Sequence, residues 1–429
     1  MTVNLPPVER ATLVNGLRVL AVRVPSVSLS VAEIVTLAGS RFDPPELGGI
    51  SHFLEHMLYR GTPTHPGPHE LSLAFEELGG SLEAATYVDR GSIVLEVPGE
   101  NLLASLPHLF DVYRHPLLSG IAIERDIVRE EILETLDEAG FLIDADEVSR
   151  RATFGDHPLG RPIAGTVDAL ARFDRSRLAE HHRRCYVGAA TVLCVAGPLD
   201  PTQVIRSVEA GLGSVARGAI EPSPEVEPST EPRFDFVPHV ASQTSVRLAL
   251  RAPGANAPLE AATELLLHVL DDGMSTRLYH RICNTLGLCY DVGAYYETWS
   301  DVGIVELWAE AAHERVEQLV DEIISVVLAL RDQPPSPDEI DRAKKRSRWQ
   351  LMQLLDEPGE IASFYGHAEL TATAADPQER ALQIEAVTPA ELRQAAEALL
   401  RPNQIALSCV GQQPRRSRDR LHRALERFA

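Results

Sequence analysis

His52-Phe53-Leu54-Glu55-His56 is the stretch on which the reading of this chain turns. On a helix, residues four apart stand one turn above each other, and residues three apart share that face. His52 and His56 then point at one place, and Glu55, three residues after His52, leans over it. Two imidazoles with a carboxylate beside them are what a catalytic zinc ion needs: nitrogen ligands, a vacant coordination position and a base within reach. The order is H-x-x-E-H, the reverse of the commoner H-E-x-x-H. A solvated helix face would also put His, Glu and His on one side. Phe53, Leu54, Met57 and Leu58, however, take up most of the remaining circumference, so this helix is expected to be buried. Two histidines and a glutamate in a buried helix require partners or a metal.

A catalytic zinc usually keeps three protein ligands. The best source of the third is the acidic run Glu124-Arg125-Asp126-Ile127-Val128-Arg129-Glu130-Glu131-Ile132-Leu133-Glu134, whose Ile127, Val128, Ile132 and Leu133 recur at helical spacing. Glu124 and Glu131 are seven apart, two turns along nearly one face. One of them would bind metal while the other bonds a ligand histidine from behind. Glu130, Glu134 and Glu138 show that much of this helix is simply a solvated acidic face, and spacing alone does not choose between Glu124 and Glu131.

Working outward, the chain has 429 residues, 44% of them hydrophobic and 24% charged, the composition of an ordinary globular protein with room for two or three domains. A net charge of −22 argues against nucleic acid and against an anionic membrane surface. No run of about 20 apolar residues is present. The opening Met1–Arg10 lacks a basic region followed by an apolar one, so a secretory leader is not expected. Five cysteines (185, 194, 283, 289, 409) form no C-x-x-C pair, which fits a reducing compartment, and a cytoplasmic location is expected. His65 and His69 fall in a Pro/Gly-rich loop and read as solvated.

The spacing of His52, Glu55 and His56 and the later run Glu124 to Glu131 resemble the pitrilysin-type (inverzincin) metallopeptidases, in the two-domain form of the processing peptidases. The resemblance extends to Gly79-Gly80-Ser81-Leu82-Glu83-Ala84, to His157-Pro158-Leu159-Gly160-Arg161-Pro162-Ile163-Ala164-Gly165-Thr166, to His182-Arg183-Arg184-Cys185-Tyr186 and to Val195-Ala196-Gly197. It implies that Glu131, 75 positions after His56, is the third zinc ligand and that Glu124 supports the site. It also implies that the strand at Glu83 and Ala84 is an edge on which a substrate peptide pairs through its main chain. The family usually has Asn-Ala there; with Glu83 in place of the Asn, pairing through Ala84 survives while a side-chain contact does not carry over. In the second half, Gly287-Leu288-Cys289-Tyr290 resembles a substrate-holding segment whose tyrosine is preceded by an arginine seven residues earlier. Tyr290 is present, but the arginine position holds Cys283; Arg281, Arg277 or a second subunit would have to take its place.

Along the chain, Asn15-Gly16 is a hairpin signal before a strand at 17–24, and strands are expected at 28–38, 81–88 and 92–97. Prolines 222, 224, 228 and 232 mark a linker at 214–236. The linker sits at the midpoint, which invites a test for duplication. Setting Gly273 on Gly61 puts His268 on His56, Glu264 on His52 and Leu267 on Glu55, a copy that has lost its metal motif. The tail 415–427 reads as a basic helical surface appendage.

The expectation is an α+β protein. Residues 1–213 form a zinc-bearing domain, 214–236 a linker, and 237–429 a degenerate homologous domain. By resemblance, each half is a mainly antiparallel sheet packed with helices, and the halves face each other as a clamshell. The function expected is zinc-dependent hydrolysis of peptides or unfolded segments. One Zn2+ per chain would be held by His52, His56 and Glu131, with Glu55 as base and Tyr290 steadying the carbonyl. The alternatives are a zinc-bearing subunit that needs a partner for the missing arginine and, against the intact Glu55, a non-catalytic structural subunit. The partners expected are a peptide substrate and either a second copy or a metal-less homologue.

Overall fold

The computed structural model describes residues 5–220, 222–227, 229–374 and 376–428. Met1–Asn4, part of the opening read above for a leader, and Pro228 of the proline-rich stretch lie outside the described residues. The chain is α+β and forms two compact units. No helix among the described residues is long and apolar enough to cross a membrane.

The first unit is built on strands β1 (Val8–Thr12), β2 (Arg18–Arg23), β3 (Leu29–Thr36), β4 (Ser81–Thr86), β5 (Gly91–Pro98) and β6 (Thr191–Gly197), in the order β1-β2-β6-β3-β5-β4. Only β2 and β6 run parallel. The Asn15-Gly16 signal does make the β1–β2 turn, with Gly16 at φ +87°. β6 is buried along its whole length, which is why its sequence is a continuous apolar run and not an alternating one. β4 is an outer strand of the sheet, as the edge reading requires.

The second unit is built on β7 (Arg233–Pro238), β8 (Thr244–Pro253), β9 (Val292–Thr298), β10 (Val302–Ala311) and β11 (Ile405–Gly411), in the order β7-β11-β8-β10-β9. This is the first sheet again without β1: β7 answers to β2, β8 to β3, β9 to β4, β10 to β5 and β11 to β6. The single parallel pair recurs as β7 with β11. Even the strand ends correspond. Gly197 and Gly411 close β6 and β11 at the same φ of +151°, where a side chain would run into Ser30 and Thr244 at the starts of β3 and β8.

The helices that matter below are α1 (Ile50–Leu58), α2 (Ile121–Glu134), α3 (Ala145–Phe154), α4 (Arg175–Cys185), α5 (Glu260–Leu270), α6 (Pro337–Leu354), α7 (Pro358–Thr371) and α8 (Arg415–Ala424). The two units interleave along the chain, where the sequence reading drew boundaries at 213 and 237. Residues 133–161 pack in the second unit and 352–378 in the first. The cause is apolar complementarity. Val148 of α3 packs with Val237 and Val410 of the second sheet. Ile361, Ala362, Tyr365 and Leu370 of α7 pack on Val31, Val35, Val192 and Cys194 of the first. Each sheet thus has one face covered by a helix that the sequence places in the other half.

Two expectations are corrected. The tail is no surface appendage: Leu421, Leu425 and Phe428 are buried in the core of the second unit, because their spacing makes one apolar stripe beneath the arginines. Of the four apolar residues read on α2 only Val128 and Ile132 are buried, together with Glu124 on the same face, whereas Ile127 and Leu133 are exposed. Residues 216–220 and 222–227 have no regular structure yet are tied down. Arg41 donates to Ser223 at 2.8 Å, and Arg251 donates to the Glu227 carbonyl at 2.7 Å.

Candidate metal centre

The centre is built on α1, and its surroundings fix that helix firmly. Ile50, Phe53, Leu54, Met57 and Leu58 are all at most 1% exposed. The backbone enters the helix at Gly49, φ +90°, so close to the loop at Ala164-Gly165 that a side chain on either glycine would strike the opposite carbonyl. That crossing gives the H-P-L-G-R-P-I-A-G-T segment its place. Asp43 then caps the helix from a distance, accepting from Gly49 N at 2.7 Å, Ser51 N at 3.3 Å and Ser51 Oγ at 2.6 Å.

Behind this cap runs a hydrogen-bond chain of one direction. Arg184 can only donate, so its 3.1 Å contact makes His181 Nδ1 an acceptor and leaves the proton on Nε2. Nε2 donates to Ser51 Oγ at 2.8 Å, and Ser51 donates on to Asp43. Burial keeps His181 neutral, its pKa pushed down to about 3. Burial also pushes the Asp43 carboxyl up to about 7, against the pull of its three donors.

His52 and His56 meet with ring centroids 4.7 Å apart. Glu131, brought over by α2, faces both: His52 Nε2 lies 3.3 Å from one carboxylate oxygen and His56 Nε2 3.4 Å from the other. One donor atom from each of the three residues lies within 4.8 Å of the others. A tetrahedral zinc with bonds of about 2.0–2.1 Å keeps its ligands about 3.3–3.4 Å apart. A charge-assisted imidazole–carboxylate hydrogen bond would instead be about 2.7–2.9 Å. The residues therefore fit a shared cation better than they fit one another. His52 Nδ1 is buried without a partner among the described residues.

Glu124 takes the other position. It is buried, its Oε1 lies 2.9 Å from His56 Nδ1, and Arg60 holds its second oxygen. The pairing puts the His56 proton on Nδ1 and turns the Nε2 lone pair toward the centre. Burial would raise the Glu124 pKa, but His56 and Arg60 outweigh it and lower it. Burial likewise works against a charged His56, yet Glu124, Glu131 and Glu55 hold its pKa up at about 9. Contacts with His52 and His56 keep Glu131 well below the ordinary carboxylate range. The acidic groups here call for a positive charge.

Glu55 stands beside this cluster without joining it. Burial raises its pKa, while a bond from the Thr86 hydroxyl and the two histidines pull it down. Glu83 is exposed on β4, next to Ala84; burial raises the pKa of the nearby Tyr59 hydroxyl, and the Ala84 backbone offsets part of that rise. Tyr290 belongs to the second unit, and its side chain is 94% exposed. Cys283 lies 3.9 Å from Cys289, sulfur to sulfur. The candidate substitutes for the missing arginine are engaged elsewhere: Arg277 donates twice to Glu339, and Arg281 twice to Glu322.

Arg60, Thr86, Tyr59 and the Asp43–Ser51–His181–Arg184 chain were not found from sequence. Arg60, four residues after His56, alone carried a readable signal. The others meet α1 only through the fold.

The chain matches the family profile described as Insulinase (Peptidase family M16) over residues 18–167, and the one described as Peptidase M16 inactive domain over 172–347. A protein of Rickettsia felis named an uncharacterized zinc protease is 31% identical over 348 residues, covering 80% of this chain and 83% of its own. Another protein named an uncharacterized zinc protease, from Mycobacterium tuberculosis, is 29% identical over 399 residues, 91% of this chain and 90% of its own. The crystal structure of a protease from Helicobacter pylori matches with a TM-score of 0.86 over 95% of this chain and 100% of that one. At 17% identity this is a likeness of fold.

Proposed function

The chain belongs to the M16 (insulinase) peptidase family, and from that premise we propose that it is a zinc-dependent endopeptidase acting on peptides or unfolded segments. The observation that carries this reading is the approach of His52 Nε2 and His56 Nε2 to the two oxygens of Glu131 at co-ligand distances, with Glu55 alongside. His52, His56 and Glu131 would hold one Zn2+ per chain. Bound there, the ion would supply Lewis acidity and lower the pKa of water toward about 7. Glu124, braced by Arg60, fixes the tautomer and direction of His56. Glu55 takes a proton from the attacking water and hands it to the leaving amine. Its raised pKa suits the second task and its contact with Thr86 the first. The outer edge of β4, at Glu83 and Ala84, would align the peptide backbone, and Tyr290 is kept as the residue to steady the substrate carbonyl.

The test is Glu55→Gln. Cleavage of a mixed peptide pool should fall by at least about 10²-fold while zinc content stays near that of the unaltered chain. A chelator should silence the enzyme and zinc revive it. Loss of zinc from the Glu55→Gln protein would remove the base assignment.

A second reading keeps the centre but makes the chain one subunit of a processing peptidase, paired with a second copy or a metal-less homologue. What favours it is Cys283 at the expected arginine position, with Arg277 and Arg281 both committed to glutamates. Assay of the purified chain alone, then with a metal-less homologue from the same organism added, decides. Full activity alone dismisses the partner. A cytoplasmic site of action is part of the proposal.

A further inference from the structure

The duplication gives the metal centre a counterpart. In the first unit the centre lies where α1 meets α2; in the second, α5 meets α6. His268 answers to His56 and Glu264 to His52. Glu339 and Arg346 keep the seven-residue spacing of Glu124 and Glu131, so a guanidinium stands where the third donor stood. The metal pattern is dismantled in detail. His268 Nδ1 lies 3.0 Å from Asp272, Arg346 donates to both oxygens of Asp272 at 2.7 and 3.1 Å, and Arg380 clamps Glu260 and Glu264.

What remains is an open crevice of about 220 Å³ whose charged lining is Arg277, Arg342, Lys345 and Arg346 with the two carboxylates Asp272 and Glu339, beside His268. On the scale of about 30 Å³ per liquid water it holds about seven waters. Arg277 and Arg346 are each neutralised by a carboxylate through two bonds. Arg342 and Lys345 have no carboxylate within 4.0 Å among the described residues. The want of partners is not for lack of acids, since the chain carries 62 Asp and Glu against 40 Lys and Arg. Positions 339, 342, 343 and 346 lie on one face of α6, so Arg342 stands in the same stripe as the paired Arg346, with Lys345 at its border. Two unneutralised cations beside two satisfied arginines make a local surplus of positive charge on a chain of net charge −22.

We propose that this crevice is an oxyanion site that takes a phosphate group. The counterpart of a cation site has become, by exchange of a carboxylate for a guanidinium, a site for the opposite charge. Arg342 contributes planar paired donors and Lys345 a mobile ammonium, a combination suited to a multivalent oxyanion. The paired Arg277 and Arg346 form its walls. The site is separate from the hydrolytic chemistry and does not depend on it.

The full-length protein is titrated calorimetrically with inorganic phosphate and with pyrophosphate, against sodium chloride at matched ionic strength. Saturable binding is expected for both, tighter for pyrophosphate, and unchanged in Glu55→Gln and in chelator-treated protein. Arg342→Ala with Lys345→Ala should weaken it at least tenfold. Lys345→Arg should retain it and Lys345→Glu abolish it; both changes fall at an exposed helix position that leaves folding intact. No heat beyond that of chloride, or equal binding by wild type and Lys345→Glu, overturns the proposal. Loss of binding in chelator-treated protein would place the anion at the metal centre instead and overturn it as well.

Discussion

Glu131 and Glu130 are neighbours of equal charge on one helix, yet only Glu131 reaches the two histidines. The contrast separates ligation from bulk electrostatics. Glu131→Gln should lower zinc affinity by at least about tenfold, while Glu130→Gln, exposed and outside the cluster, leaves it unchanged. Competition against a metal-sensitive dye measures both, and equal effects would show that the third donor lies elsewhere. The same scale explains why Glu124 and Glu131 look interchangeable in sequence. They share a helix face, and what distinguishes them is depth. Glu124 sits on the buried stripe with Val128 and Ile132, behind the His56 ring, whereas Glu131 lies at the open end.

Where α3 lies on the second sheet, Glu306 of β10 is fully buried, held by Ser149 of α3 and by the Tyr295 hydroxyl at 3.0 Å. Burial is the main cause of its pKa of about 7, raised from 4.5. The unfolded chain gives up this proton near 4.5 and the folded chain only near 7, so stability declines as pH rises between those values and levels off above them. Glu306→Gln, which keeps the partners without the charge, should flatten this slope. Melting temperatures from pH 5 to 8 test it, and parallel curves for the two proteins would contradict it.

For the molecule as a whole, the interleaved packing means that neither half of the sequence carries a complete fold. A fragment of residues 1–213 lacks α7 and so exposes the Val31, Val35, Val192 and Cys194 face of its sheet. Residues 214–429 lack α3 and bare Val237 and Val410. Expressed separately, each fragment should be insoluble or loosely folded; co-expressed, the two should assemble into one particle with the zinc content of the intact chain. A well-folded monomeric 1–213 fragment, judged by size exclusion and near-ultraviolet circular dichroism, would contradict this. The repeated strand order also explains why a second unit without the H-x-x-E-H motif keeps the architecture. The sheet rests on apolar strands and end glycines, and the charged positions on α5 and α6 were free to change.

From sequence alone came the local chemistry and the class of fold. The helical spacing of His52, Glu55 and His56, the period-two strands, the hairpin at Asn15-Gly16 and the trace of duplication through Gly61 and Gly273 are short-range patterns, and helix and strand geometry converts those directly into structure. Tertiary structure alone decided which groups meet across long separations. It placed α2 so that Glu131 faces both histidines, set Arg60 and Thr86 beside their glutamates, drew Asp43, Ser51 and His181 together at the start of α1, sent α3 and α7 to the opposite sheets, and buried the tail. Such pairings depend on how whole apolar faces fit together, and no local period along the chain encodes that fit.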